Sequence, residues 1–380
     1  MYFSDVVGHE KIKKRLISSV IENRLSHSWL FFGPEGSGAL AMAVSFASYI
    51  LCEHPEGNDS CGHCNACRKS HKLIHPDMHL VFPVNKTKSV DSDELVSDNF
   101  LNEWRSFFLE NPYSRLNQWY EYIDLENRQG NINNEESRKL SYKLSLKSFE
   151  SDYKVVVMWH PEKMNDQAAN RLLKLIEEPP DKTVFILVSE NPDLLLMTIR
   201  SRCMPVKIPR ISDEDIRKKL IDTKGLPENE AEEIAVNAQG NYLRALELTR
   251  EADDMNYNFI KFRELMRSCF TSDIIQIIGH AEELSGLIRE KQKAFLEYGL
   301  KTIRESLALH YPEKELAFVT KGEAEFTPKF APFINGRNIL RITDELNKAI
   351  YEIERNVSGK MIFLDLGLKL SGLINLKVRN

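Results

Sequence analysis

Two groups of residues in this 380-residue chain have the types and spacing to do chemistry. The first is Gly33-Pro34-Glu35-Gly36-Ser37-Gly38-Ala39-Leu40. It has the glycines and the setting of a Walker A phosphate loop. An apolar run, Trp29-Leu30-Phe31-Phe32, leads in, and a helix-like stretch from Ala41 to Leu51 leads out. A working loop of this kind ends Gly-Lys-Ser or Gly-Lys-Thr, because the lysine reaches the β and γ phosphates and the hydroxyl holds Mg²⁺. Here those two positions are Ala39 and Leu40. A tight βα turn without any phosphate role is the plainer reading of the glycines alone.

A second stretch bears on the same site. Lys154-Val155-Val156-Val157-Met158 is a β-branched apolar run that reads as a buried parallel strand. A Walker B strand ends in acidic residues that bind the Mg²⁺ shell and act on the attacking water. Trp159-His160 stands in that place, so both carboxylates are missing too. His160 has no evident partner in the nearby sequence, and a packed or surface histidine is the expectation.

The other chemical group is the cysteines. Four of the six fall as Cys52-x8-Cys61-x2-Cys64-x2-Cys67. The start of the chain is polar and charged rather than signal-like, and no apolar run is long enough to span a bilayer, so a cytoplasmic protein is expected. In a reducing compartment, clustered cysteines indicate a metal rather than disulfides. Four thiolates are a sufficient tetrahedral set for Zn²⁺ and leave no position open for catalysis, so the site would be structural. Two alternatives stay open. Cys-x2-Cys-x2-Cys also occurs in iron–sulfur proteins, although Arg68-Lys69-Ser70-His71 replaces the usual continuation. His54, His63 or His71 could replace one cysteine. Cys203 and Cys269 are isolated and are expected to be buried thiols.

The elements that must position these groups follow from periodicity. Residues 1–208 read as alternating strands and helices, hence an α/β domain with a parallel sheet. The zinc module (about 52–67) and an insertion (about 86–128) interrupt it. Residues 209–253 read as a small helical unit: Asp213 to Lys219, Glu228 to Ala238 and Leu243 to Arg250, with a turn at Lys224-Gly225-Leu226-Pro227. From 254 to 380 helical periodicity continues through Phe259–Phe270, Ile274–Leu300 and Ile339–Ile353.

The most specific stretch runs from Ala168 to Cys203. Ala168-Ala169-Asn170-Arg171-Leu172-Leu173-Lys174-Leu175-Ile176-Glu177-Glu178-Pro179-Pro180 is an amphipathic helix stopped by two prolines. The strand Thr183–Ser189 follows, then Thr198-Ile199-Arg200-Ser201-Arg202-Cys203. In this order these segments resemble the bacterial clamp-loader subunits of DNA polymerase III. Phe3-Ser4-Asp5-Val6-Val7-Gly8-His9-Glu10 and Asn23-Arg24-Leu25-Ser26-His27-Ser28 fit the same family. The resemblance covers most of residues 1–250 and is weaker beyond.

The resemblance implies an AAA+ domain, a helical lid over 209–253 and an all-α collar over 254–380. Within the family, broken Walker motifs with an intact Ser-Arg-Cys resemble the delta-prime type. Arg202 would then be an arginine finger reaching a neighbouring subunit's ATP, with Ser201 as a supporting motif position. A surface arginine in a local salt bridge is the competing reading. In the lid, Leu243 takes the place of a sensor arginine; Arg244 lies one residue later, a rotation of about 100° on a helix, and is given no such role. The implied partners are tau/gamma-type motor subunits and delta, and, through the assembly, the sliding clamp and primer-template DNA. No ATP turnover is expected, whereas weak phosphate binding at a helix N-terminus stays open.

Composition limits the alternatives. Net charge is −5, so no global electrostatic footprint for DNA exists. That argues against a zinc-dependent nucleic-acid-binding module. Ala39, Leu40, Trp159 and His160 argue against an ATP-hydrolysing, tau/gamma-like motor. The insertion holds Phe100, Trp104, Phe107, Phe108, Tyr113, Trp119, Tyr120 and Tyr122, and aromatics can stack single-stranded bases. Its nine acidic and five basic residues are the wrong balance for following phosphates, so a packed helical insertion is expected.

Overall fold

The computed structural model describes residues 1–87, 90, 95–125, 129–310 and 321–376. The chain divides into two compact units, Met1–Leu248 and Thr249–Asn380.

The first unit is built on a five-stranded parallel sheet, β1 (Ser28–Phe32), β2 (Met78–Val81), β3 (Lys154–Trp159), β4 (Thr183–Ser189) and β5 (Met204–Lys207), in the order β2-β3-β4-β1-β5. The β-branched runs are strands because both faces are covered and apolar side chains can point either way. Alternation then sorts them. Trp29, Phe31, Val155, Val157, Ile186 and Val188 face one core; Leu30, Val156, Met158, Phe185 and Leu187 face the other.

The first face carries α1 (Glu10–Ile21), α2 (Ala39–Ile50) and the aromatic residues of α4 (Leu101–Glu110) and α5 (Leu116–Tyr122). Every residue of α2 after Ala39 is buried, which is why its sequence is apolar all round. The second face is covered by residues of α6 (Asn134–Ser145) and α7 (Asp166–Glu177) and by Ile199 of the single-turn α8 (Met197–Arg200). The short α3 (Asn65–Ser70) lies in the cysteine segment.

The insertion is a packed helical one, as its charge balance implies. Phe100, Trp104, Phe107, Phe108, Tyr113 and Trp119 are all buried. Trp104 stacks on Phe82 at 4.2 Å and meets Trp119 and Trp159, each at 5.0 Å. These six rings are committed to a core and cannot serve as open stacking platforms for bases; Tyr122 is 45% exposed.

The helices expected near 213–250 are α9 (Asp213–Lys224), α10 (Glu228–Ala238) and α11 (Tyr242–Thr271). Gly225 ends α9 in the left-handed conformation at φ +65. The division between the units falls within the span of α11.

The second unit is helical: the remainder of α11, then α12 (Ile274–Ser285), α13 (Arg289–Ala308), α14 (Lys321–Phe330), α15 (Ile339–Glu354) and α16 (Gly359–Ile374). Its core is Phe262, Leu265, Ile277, Phe295, Ile303, Ile342, Leu346, Phe363 and Leu366 with their neighbours. The helical periodicity read through Ile274–Leu300 falls on two helices, α12 and α13. Gly286 caps the first, and the Gln292 side-chain amide donates to the carbonyls of Ser285 (3.1 Å) and Leu287 (2.7 Å). A glycine with a local side-chain cap makes the break cheap, and an unbroken apolar period does not reveal it.

Candidate functional site: a glycine-rich loop, a cysteine cluster and an exposed arginine

The carboxyl ends of β1, β3 and β4 converge, which is where ligands gather in open parallel sheets. The glycine-rich loop leaves β1 there. Gly33 has no room for a side chain, since a Cβ would lie 2.1 Å from the carbonyl oxygen of Ile208. Gly38 adopts φ +86 and opens α2 as its N-cap. A Cβ there would come within 2.8 Å of the Tyr113 ring. His9 binds the carbonyl of Ser37 through Nε2 at 2.9 Å.

Leu40, in the first turn of α2, is only 7% exposed and belongs to the core. The Ser37 hydroxyl is buried and has no hydrogen-bond partner among the described residues. The small cavity at the loop is lined by Gly33, Gly38, Tyr113, Trp159, Ser189 and Glu190 among others. Among the described lining residues Glu190 is the one carboxylate, and none is a lysine. That lining offers amides and hydroxyls but no cation to a phosphate.

His160 follows β3 in the left-handed region at φ +53, with its amide bonded to the carbonyl of Val188 at 2.9 Å. His160 is packed, at 4% exposure, and it has a partner two residues on that the sequence reading missed. Its Nδ1 lies 2.9 Å from Glu162 Oε1, and its Nε2 lies 4.0 Å from Glu190 Oε1. The 3-10 turn Pro161–Lys163 folds Glu162 back onto the ring. The His-Pro-Glu sequence was the available signal for that pair; Glu190 is brought in only by the register of β3 against β4. Burial raises the Glu190 carboxyl above the usual range, with His160 opposing.

The four cysteines come together. Their Sγ atoms all lie within 4.8 Å of one another. Tetrahedral zinc with Zn–S of about 2.3 Å sets sulfur atoms about 3.8 Å apart. Cys61 and Cys67 already stand at 3.8 Å. Backbone amides point at the sulfurs: Cys61 N–H to Cys52 at 3.3 Å, Cys64 N–H to Cys61 at 3.4 Å and Cys67 N–H to Cys64 at 3.3 Å. Burial pushes the Cys52 and Cys67 thiols up. At Cys61 burial acts the same way, but amide donors from Cys64 and His63 outweigh it and bring the thiol down to about 6. Thiols crowded in this way ionise together only beside a cation, so the donor set fits a tetrahedral metal. No histidine belongs to the cluster among the described residues.

Arg202 follows α8 and is 41% exposed on its side chain. Its Nη2 lies 2.8 Å from Glu177 Oε1 at the end of α7, and its Nη1 donates to the carbonyl of Thr198 at 2.9 Å. The Ser201 hydroxyl donates to the same carbonyl at 3.2 Å. Nearby, Arg200 pairs with Asp193, and Leu194 and Met197 are exposed. Cys203 and Cys269 are buried, the first with its sulfur 3.0 Å from the Ser28 hydroxyl. Leu243 is buried, and Arg244 faces Glu247 at 3.5 Å.

Sheet order and loop position define the class: an α/β domain of the AAA+ phosphate-loop type, joined to a helical C-terminal part. The family profile described as "DNA polymerase III, delta subunit" matches residues 8–212. The chain therefore belongs to that DNA polymerase III family, in its delta-prime-like branch. Bacillus subtilis DNA polymerase III subunit delta' is 28% identical over 258 residues, 67% of this chain and 64% of that protein. Bacillus subtilis subunit tau is 27% identical over 269 residues, 70% of this chain and 40% of that protein. Escherichia coli subunit delta' is 29% identical over 192 residues, 50% and 44% of the two chains. The matches thus span about half the length of these relatives. A solved gamma subunit-related protein of Thermotoga maritima aligns over 96% of this chain and 99% of its own at 17% identity, with a TM-score of 0.35.

Proposed function

We propose that this chain is a non-hydrolysing, delta-prime-like subunit of a DNA polymerase III clamp loader. The tau and delta' relatives are about equally similar, so overall identity does not separate a motor from a non-motor subunit. The observation that carries the choice is Leu40, buried in the core where a phosphate loop must present a hydroxyl to Mg²⁺. Ala39 before it, and Trp159 and His160 at the end of β3, remove the other groups that nucleotide hydrolysis needs.

The chain's chemical contribution is then made to a neighbour. In phosphoryl transfer, charge spreads over the γ-phosphoryl oxygens, and a guanidinium supplied in trans stabilises it. Arg202 is the candidate. Its bond to Glu177 lies on an exposed surface, where such pairs contribute about 0–1 kcal/mol, so release toward a stronger anion costs little. Exposed Leu194, Leu196 and Met197 beside it suit a subunit contact.

The reading includes a helical lid over 209–253 and a collar over 254–380 that joins the other loader subunits. Partners would be tau/gamma-type subunits and delta, with the sliding clamp and primed DNA met through the assembly, in the bacterial cytoplasm. No described helix is long and apolar enough to cross a membrane. Cys52, Cys61, Cys64 and Cys67 would hold zinc, which supplies structural cross-linking of the segment after α2 and no catalytic step.

The test is ATP turnover by the organism's own motor subunit with delta, clamp and primed DNA. It is run without this chain, with it, and with Arg202→Ala. Wild type is expected to stimulate turnover, and the alanine variant to assemble yet fail to stimulate. Equal stimulation by the variant would make Arg202 merely structural. Turnover by the isolated chain would replace the proposal with a motor reading.

A further inference from the structure

The insertion gains a role from the place its turn occupies. Between α4 and α5 the chain runs Asn111-Pro112-Tyr113-Ser114-Arg115. Asn111 fixes this turn: its side-chain oxygen accepts from the Tyr113 amide at 3.1 Å, and its carbonyl accepts from the Ser114 amide at 3.2 Å. The flanking helices are anchored in the aromatic core through Trp104 and Trp119. The turn is therefore held from both sides.

Tyr113 lies directly over the glycine-rich loop. Its ring lies where it would meet a Cβ on Gly38 at 2.8 Å. Its hydroxyl accepts a hydrogen bond from the Val7 amide at 2.8 Å, and its ring meets Tyr242 edge-on at 4.8 Å. The side chain is 6% exposed. The cavity left between Pro112–Ser114, the loop and the ends of β3 and β4 is about 30 Å³. One water molecule needs about 10–15 Å³, so the space admits a water or two, whereas sites for small organic ligands run to about 300–1,000 Å³. Ser37 Oγ and Ser189 Oγ stay buried beside it, without hydrogen-bond partners among the described residues.

A second set of contacts holds the opening of α11 to the same loop. Tyr242 donates its amide to the carbonyl of Gly36 at 3.1 Å. A Cβ on Gly36 would lie 1.8 Å from the Asn241 side-chain oxygen. Arg115, from the insertion, pairs with Glu247 of α11 at 2.5 Å and faces Glu35 of the loop at 3.7 Å.

We propose that Asn111–Arg115 is a built-in plug: Tyr113 covers the loop amides and Arg115 ties α11 across them, so the chain's own insertion closes the nucleotide cavity whatever residues stand at 39 and 40. This rests on the reading of Gly33–Leu40 as a former phosphate loop. It is independent of the role given to Arg202, because its tests use the isolated full chain and no partner.

The first measurement is amide hydrogen exchange across residues 33–42. Tyr113→Ala is expected to speed exchange at residues 36–40 at least tenfold, while amides of β1, β3 and β4 keep their rates. Tyr113→Phe retains the ring and is expected to keep the loop closed. The second measurement is binding of a fluorescent Mg-ADP analogue. Ala39→Lys/Leu40→Thr alone is expected to bind no better than wild type, and the same pair with Tyr113→Ala at least tenfold more tightly. Arg115→Ala removes the tie without removing a core ring, and is expected to speed loop exchange about threefold. The plug is overturned if the repaired loop binds equally well with Tyr113 in place. It is overturned equally if Tyr113→Phe opens the loop as far as Tyr113→Ala. Should Tyr113→Ala fail to fold, unchanged loop exchange in Arg115→Ala overturns it alone.

Discussion

Glu136 and Asp77 are two buried carboxyls with opposite fates. Burial raises Glu136 to about 7, although the Ser97 amide donates to it at 2.5 Å. Its folded pKa lies above the ordinary value, so the folded state holds its proton longer than the unfolded chain does. Stability is then lost as pH rises from the ordinary carboxyl range through about 7. Glu136→Gln should be more stable than wild type at pH 8, by up to about 3 kcal/mol, and the difference should vanish near pH 4. Urea melts at the two pH values read this directly. Burial acts upward on Asp77 as well, but three amide donors, Phe149, Glu150 and Ser151 at 2.6, 2.8 and 2.9 Å, outweigh it and lower its pKa. Its contribution is present above the unfolded carboxyl value and is lost as pH falls through the folded one. Asp77→Asn should cost about 1–3 kcal/mol at pH 7 and much less near pH 3, again by urea titration. Arg202 belongs at this scale too. If Arg202 acts in trans as proposed, Arg202→Ala should remove on the order of 10³ in rate at the neighbouring site, read as loss of stimulated turnover by the assembled loader.

At the scale of elements, close packing of helices sets the sensitive positions. In the second unit α12 and α16 approach so closely that a Cβ on Gly367 would lie 2.6 Å from Ile277 Cγ2. Ile277 is a buried, β-branched residue with little freedom to yield. Gly367→Ala should therefore destabilise by roughly 1–3 kcal/mol despite alanine's better helix propensity. An exposed glycine such as Gly372, with open space around it, gives the control: the same change there should be neutral or stabilising. Thermal melts of the two variants separate packing from propensity. The break between α12 and α13 follows similar logic, since Gln292 serves as a cap that no periodicity analysis anticipates.

On the scale of the whole molecule, the cysteine cluster links α2 to α3 through a segment with little core of its own. Only Cys64, Ala66 and Cys67 are buried in its cluster. If zinc holds it, one metal per chain should be found by elemental analysis. Chelation should then lower the melting temperature by several degrees, and binding should weaken as pH falls, because thiolates compete for protons. Replacing Cys64 by serine should have the same effect as the chelator. A chain whose metal content and melting point ignore both treatments would show that the cysteines merely pack together.

The sequence by itself determined what depends on neighbours along the chain. The β-branched runs became β3 and β4 because such residues suit a sheet covered on both faces. The stretch ending in two prolines became α7, capped by Asn165. The cysteine spacing brought four thiols together, and positions 39 and 40 carry an alanine and a leucine rather than a lysine and a hydroxyl. Only the tertiary structure decided the rest. It buried the insertion's aromatics against Phe82 and Trp159, paired Arg202 with Glu177, and gave His160 its two carboxylates. It also set Tyr113 against Val7 and Arg115 against Glu247, across 106 and 132 residues of sequence. Local pattern fixes the backbone state of a segment, because propensity and periodicity act over a few residues. Which side chain closes over a distant loop depends on how whole elements pack, and no short window of sequence contains that information.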